Sequence, residues 1–465
     1  MAAAPRRLTG HFPRRNPLPI AAPPVWLLPV FSALSRNVLR LFYRLTLAGE
    51  RVPEHGPVLL VANHPNSLLD PAMVVAVARR PVRFLAKAPL FGHAGVGWLV
   101  KGAGAIPVYR AQDDAGSTGQ NQDTFRAVWA ALGEGAAVGI FPEGTSHSGP
   151  SLVPLKTGAA RIALGAARRT GGAFPILPVG LSFRDKAIFR SAALAVVGDP
   201  VAWDDLAAAG PDDRDVVRAL TARIDEALRE VTINLERWED ADLVHAAEAI
   251  YAAELPVDTS HDARLARLGE AVEGLARIRT EARPEWKRVA REVGGHARIL
   301  EVLGITPAQL HASARVDVAL GWIVRQLVFF GVGAPVAALG IAIYWLPYRL
   351  TGVLEQRMVK DQDVRATFKV LAGGVLHILW TLAIVGVVGW RFGLGAALCA
   401  LVAAPLAGFV AIHVTEGWRR AVAEARRFFL RARRRDELRE LRTRQGELAR
   451  KLHALWEEVR DADEG

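Results

Sequence analysis

A histidine and an aspartate stand a few residues apart in Asn63-His64-Pro65-Asn66-Ser67-Leu68-Leu69-Asp70, directly after the apolar run Val58-Leu59-Leu60-Val61-Ala62. A short apolar run bounded by polar residues reads as a buried strand, which places His64 at its end. A histidine oriented by a carboxylate can take the proton of a hydroxyl that otherwise attacks poorly. Further along, Ala136-Ala137-Val138-Gly139-Ile140-Phe141 reads as a second strand running into Pro142-Glu143-Gly144-Thr145-Ser146. Two polar loops at strand ends in one small α/β unit point to a single site. Asp70 also has a second explanation. With Pro71 and the apolar stretch behind it, it reads as a helix N-cap followed by proline at the first helical position. A carboxylate has two oxygens, so capping and orienting His64 are compatible.

These runs resemble two sequence blocks of the phospholipid/glycerol acyltransferase (PlsC-like) superfamily. The first is its H-x4-D block, the second its F-P-E-G-T block, unchanged here. Gly104-Ala105-Ile106-Pro107-Val108-Tyr109-Arg110 sits where that family carries G-x-I-x-x-x-R, and Pro175-Ile176-Leu177-Pro178-Val179-Gly180 is similar to its proline-bearing fourth block. The resemblance covers roughly residues 55–185. It departs in one place: five residues, rather than four, separate His64 from Asp70. The longer spacer and its lettering resemble the branch that acylates glycerol 3-phosphate or dihydroxyacetone phosphate. The resemblance implies a PlsC-like α/β acyltransferase domain, with His64 as general base for attack of an acceptor hydroxyl on the thioester of acyl-CoA or acyl carrier protein. It implies that Glu143 and Gly144 help hold the glycerol phosphate, and it needs neither cofactor nor metal.

Other residues suit the acceptor. Arg110 can grip a phosphate through two parallel charge-assisted hydrogen bonds. Lys87 and Lys156 are further basic candidates, Gly104 belongs to the third block, and Thr145 offers a hydroxyl or caps a turn. Glu143 would repel a phosphate, so a substrate hydroxyl or a basic residue is its better partner. The twelve histidines show no metal-ligand spacing. Ser146 or Ser148 beside His147 could be a nucleophile, but no G-x-S-x-G elbow accompanies them. The alternatives within this reading are acylation of 1-acylglycerol 3-phosphate and an inactive membrane scaffold.

The chain that must position these groups has 465 residues, 51% of them hydrophobic, a formal charge of +11 and one cysteine, Cys399. Mean hydropathy is +0.18. The charge fits anionic lipid or phosphorylated substrates. No nucleic-acid module accompanies it. A lone cysteine leaves no intrachain disulfide. Residues 1–25 read as a poorly ordered basic arm, because prolines 17, 19, 23, 24 and 29 fit a secretory signal badly. Phe31–Leu47 reads as a basic amphipathic helix, suited to a membrane surface or to the domain core. Residues 26–202 alternate strand-like and helical runs, as an α/β domain does. Residues 203–313 read as a helical extension of unassigned role.

From 314 to 415 the chain turns apolar. Val370–Trp390 and Gly393–Val414 are each long enough to cross a hydrocarbon core of ~30 Å, and they read as a transmembrane hairpin. Leu327–Leu346, broken by Gly331, Gly333 and Pro335, is expected to be re-entrant or interfacial. That arrangement puts the enzyme domain, the basic loop 347–369 and the basic helical tail 416–465 together on the cytoplasmic side of the inner or plasma membrane.

Overall fold

The computed structural model describes residues 27–93, 96–108, 120–280, 283–311, 316–359 and 361–464. The expected basic arm, 1–25, lies outside them. Seven strands form one sheet: β1 (Arg44–Gly49), β2 (Val58–Ala62), β3 (Val82–Lys87), β4 (Ile106–Val108), β5 (Ala137–Ile140), β6 (Ile176–Phe183) and β7 (Ala192–Val197). Their spatial order is β1-β7-β6-β2-β5-β3-β4. Strands β6, β2, β5, β3 and β4 are mutually parallel, so their carboxyl ends share one edge. Strand β7 runs antiparallel to β6 and parallel to β1. Ligands in open parallel sheets bind beyond the carboxyl edge, and the neighbours β2 and β5 run out there into His64 and Glu143.

Alternation along β2 divides the core. Leu59 and Val61 enter one cluster, beneath α4 (Gln120–Gly133), α5 (Gly158–Thr170) and α6 (Arg214–Glu230). Val58, Leu60 and Ala62 enter the other, beneath α1 (Leu27–Phe42) and α2 (Leu69–Ala78). This is the period of two that a strand imposes. Leu59 and Leu60 are fully buried, and burying such a side chain contributes about 1.5–3 kcal/mol. A short helix, α3 (Gly97–Gly102), precedes β4.

Three expectations are corrected here. The basic helix ends at Phe42, and Arg44–Gly49 is an edge strand. Leu45 continues a helical stripe from Leu41, whereas Leu45 and Leu47, two apart, fit a strand's period. Residue 202 marks no break, since Val217, Leu220, Ile224 and Leu228 of α6 share a core with the sheet. Asp213 caps α6 by accepting from the N–H groups of Asp215 and Val216. Leu327–Leu346 is not interrupted either. It lies within one helix, α10 (Val316–Met358), which contains both Pro335 and Pro347. The glycines serve close packing: a Cβ on Gly340 would stand 2.2 Å from the Ala407 carbonyl oxygen, and one on Gly333 would stand 2.9 Å from Val414.

The helical extension comprises α7 (Ala241–Glu254), α8 (His261–Thr280) and α9 (Pro284–Leu303). Their common core is completed by α13 (Arg435–Glu464) through Leu448, Leu452 and Trp456. Between them in sequence come α10, α11 (Gln362–Phe392) and α12 (Leu394–Arg433), with Gly393 at the turn joining the last two. Among the described residues three helices are long and apolar enough to cross a membrane. Their flanks return to the sheet domain. Lys369 of α11 donates to the Ala187 carbonyl at 2.9 Å, and Ala366 is buried in the sheet's core. Glu416 of α12 pairs with Arg190. On α10, Glu355 pairs with Arg365 and Lys369, while Phe330, near the other end of the apolar run, packs against Trp418. Both ends of that run therefore lie toward the same side of the sheet domain.

Candidate active site

At the carboxyl end of β2 the chain turns sharply, with Ser67 at φ 51°. The turn absorbs the extra spacer residue and brings Asp70 back to the histidine, Nδ1 of His64 lying 2.8 Å from Asp70 Oδ2. The same oxygen accepts the Asn66 N–H at 2.6 Å. Asp70 lies inside the first turn of α2 and makes no capping bond; the N-cap position is Leu68. The expected capping role is thus replaced by the bond to the imidazole and the closure of the turn. Asp70 is wholly buried, and burial pushes its pKa above the ordinary carboxylate value. The His64 hydrogen bond and charge, the Asn66 N–H and Lys186 pull it back.

The imidazole is held by its ring as well. It stacks on Phe141 with centroids 4.1 Å apart, and Phe141 stacks on Phe84 at 5.6 Å. Gly139 makes room for that stack, since a Cβ there would meet the Phe84 ring at 2.2 Å. With Nδ1 bonded to Asp70, Nε2 is the nitrogen left for substrate; among the described residues it has no hydrogen-bond partner, and the side chain is 17% exposed.

Of the two partners expected for Glu143, the structure supplies a basic residue, His147. Its carboxylate is buried and already engaged: Oε2 accepts the His64 N–H at 2.6 Å, and Oε1 meets His147 Nε2 at 2.7 Å and the Val153 N–H at 3.4 Å. The Gly149 N–H donates to Nδ1 of His147, which leaves the proton on Nε2, directed at Glu143. Glu143 therefore ties the F-P-E-G-T loop to the histidine loop. Two further bonds join these loops: His147 N–H to the His64 carbonyl, and Ser67 N–H to Ser146 Oγ. The latter engages one of the serines weighed as a nucleophile.

The remaining candidates lie at varied distances from this centre. Gly144 stands at φ 74°, and a Cβ there would meet Lys156 Nζ at 2.5 Å, so the glycine seats that ammonium directly beyond Glu143. Lys87 is exposed at the carboxyl end of β3, on the shared edge. Gly104 is buried at φ 64° and its carbonyl accepts from Arg83, which makes it a turn residue with no link to the dyad. Among the described residues, the Thr145 hydroxyl bonds only to its neighbour Ser146. Arg110 lies outside the described residues. Two contributors escaped the sequence reading. Tyr43 accepts from Asn66 Nδ2 at 2.9 Å and donates to the Lys186 carbonyl, and Lys186 Nζ reaches Ser148 Oγ at 3.0 Å. Only periodic and motif residues had been weighed, and neither of these belongs to a motif.

Residues 44–182 match the family model described as Acyltransferase. This region is an acyltransferase domain. In sequence it includes His64, Asp70 and the other candidates from Lys87 to Lys156. Glycerol-3-phosphate O-acyltransferase 2 of Saccharomyces cerevisiae is 36% identical over 134 residues, covering 28% of this chain and 18% of the yeast protein. Glycerol-3-phosphate O-acyltransferase 1 of the same yeast is 26% identical over 288 residues, covering 56% and 37%. The chloroplastic 1-acyl-sn-glycerol-3-phosphate acyltransferase BAT2 of Brassica napus is 29% identical over 142 residues, covering 30% and 38%. The matched segments span well under half the length of these curated relatives.

Proposed function

We propose that this chain is a membrane-bound O-acyltransferase that moves a fatty acyl group from acyl-CoA or acyl carrier protein to glycerol 3-phosphate or dihydroxyacetone phosphate. The observation that carries this reading is the 2.8 Å bond between His64 and a buried Asp70 at the carboxyl edge of the sheet. Asp70 fixes the tautomer with the proton on Nδ1, leaving Nε2 to accept the proton of the acceptor hydroxyl. The hydroxyl oxygen then attacks the thioester carbonyl. The tetrahedral intermediate expels the thiol, which leaves with the proton held by His64. No acyl-enzyme forms. Lys156, Lys87 and Arg110 supply the cationic grip on the acceptor phosphate, with Gly144 opening space for Lys156.

The acceptor preference rests on the long His64–Asp70 spacer and on similarity to two relatives named as glycerol-3-phosphate O-acyltransferases. Similarity to a relative named for 1-acylglycerol 3-phosphate keeps that lysophospholipid as the second reading. A phosphate grip alone does not separate them. Acyl transfer to glycerol 3-phosphate, dihydroxyacetone phosphate and 1-acylglycerol 3-phosphate at matched concentrations decides the matter. The small acceptors are expected to turn over fastest, and a clear preference for the lysophospholipid reverses the assignment.

For the membrane region, α11 and α12 form a hairpin that crosses and returns, while α10, which contains Pro335 and Pro347, bends back so that both ends of its apolar run face the sheet domain. The domain, the loop after α10 and the basic tail are then all cytoplasmic, as the arginines from 419 to 435 favour. In a Cys399→Ala background, cysteines at Lys87 and at the exposed Met358 are expected to resist an impermeant thiol reagent in right-side-out vesicles until the membrane is permeabilised. Labelling of Met358→Cys alone in intact vesicles means that α10 crosses.

A further inference from the structure

The segment Asp185–Ser191, between β6 and β7, takes no part in the scheme above, yet it is bonded on two sides. Toward the site, Lys186 Nζ meets Ser148 Oγ at 3.0 Å, and the Lys186 carbonyl accepts from the Tyr43 hydroxyl. Tyr43 also accepts from Asn66, whose N–H is one of the two donors on Asp70 Oδ2. One lysine thus meets the Ser148 loop through its ammonium and is linked through its backbone and Tyr43 to the histidine loop. Toward the membrane helices, Lys369 holds the Ala187 carbonyl, and the Arg190 guanidinium grips both oxygens of Glu416 at 2.5 and 3.1 Å. The same guanidinium donates to the Arg40 carbonyl at 2.7 Å. Arg190 stands at φ 63°, a conformation that arginine rarely adopts and that these bonds over-determine.

Asp70 has no exposed surface, and its Oδ1 has no partner among the described residues. A carboxylate so placed either gains a proton or faces a compensating cation. His64 cannot be that cation in the working state, because a general base must be neutral. The charged groups acting on Asp70 are His64 and Lys186, with the phenol of Tyr43 beside them; burial favours the neutral form of Lys186, and Asp70 and Asp363 of α11 oppose that loss of charge.

We propose that Lys186 is a positioning residue for the acyl transfer assigned above: seated by the membrane helices, it supplies the positive charge that keeps Asp70 ionised while His64 is neutral. The inference rests on that reading of His64. The sign is fixed. Removing a cation beside the dyad makes either member easier to protonate, so activity is lost at higher pH on acidification whichever member takes the proton.

The test compares Lys186→Met and Lys186→Arg in the full chain, reconstituted in bilayers and checked by thermal melting. With Lys186→Met the acidic limb of kcat/KM is expected to rise by about one pH unit, so that kcat/KM below the limb falls about tenfold. KM for the acceptor stays near its wild-type value, and Lys186→Arg keeps the wild-type limb. NMR of histidine-labelled protein, with His64 assigned as the resonance absent from His64→Ala, is expected to show the same upward shift without turnover. Should Lys186→Met fail to fold, Lys186→Cys before and after aminoethylation, in a Cys399→Ala background, gives the same comparison, with recovery of the limb expected on restoring the charge. An unmoved limb and His64 titration, or a raised acceptor KM as the main effect, overturns the role of Lys186. A wild-type protein without acyl transfer overturns the function assigned above, and the His64 titration still decides the role of the lysine.

Discussion

His64→Ala is expected to cut acyl transfer by a factor on the order of 10²–10⁴, the usual contribution of a positioned general base. The loss should fall on kcat, since Nε2 acts on a proton in flight and has no evident part in holding either substrate. Asp70 keeps its bond from the Asn66 N–H in this variant, and burial then favours its protonated form, so the fold survives at a modest cost. Asp70→Asn retains the oxygen that Asn66 needs but loses the charge that orients the imidazole, and a residual rate should remain. Thiol release from acyl-CoA in the presence of acceptor measures both variants. A folded His64→Ala protein turning over near the wild-type rate would remove His64 from the chemistry.

Glu143→Gln is expected to be nearly as damaging as Glu143→Ala, although it preserves shape. Both carboxylate oxygens receive donors, the His64 N–H on one and the His147 Nε2–H on the other. An amide can offer an oxygen to only one of them and turns its NH2 toward the other. His147 cannot relieve the clash by moving its proton, because Nδ1 already accepts from Gly149. Leaving a buried donor unsatisfied costs about 1–3 kcal/mol. The melting temperature should therefore drop together with kcat, because the displaced backbone is that of the general base. If Glu143 instead contacted substrate, Glu143→Gln would raise the acceptor KM and leave melting unchanged. The two measurements separate these cases.

The sheet was legible because β2, β5, β6 and β7 are short apolar runs bounded by polar or proline residues, and the two loops that carry the chemistry are contiguous motifs. Strand β1 was not, since Leu45 extends the helical stripe of Leu34, Val38 and Leu41 as readily as it starts a strand, until β7 lies beside it. The bond between His64 and Asp70 was expected from their types and spacing, but the turn that makes it was not readable, because it depends on Ser67 taking a left-handed conformation that no residue type there announces. For Glu143 the sequence left a substrate hydroxyl and a basic residue open as partners, and did not single out His147. The donors to Glu143 are a backbone N–H and a histidine whose orientation is set by Gly149, and such bonds leave no trace in spacing. Lys186 and Tyr43 are joined to the dyad across 116 and 27 residues of sequence, distances at which only the folded sheet shows who meets whom.

The helical core built from α7, α8, α9 and α13 also sets an order of events during synthesis. Leu448, Leu452 and Trp456 form one wall of that core, opposite Val244, Ile250, Tyr251 and Val293. The chain between them contains all three long apolar helices. On the proposed membrane arrangement, the apolar helices must reach the bilayer before the helical core beside them can close. Until then Ile250 and its neighbours stay open to solvent and to chaperones, and a chain interrupted after α12 is left with an apolar cleft where a finished fold should be.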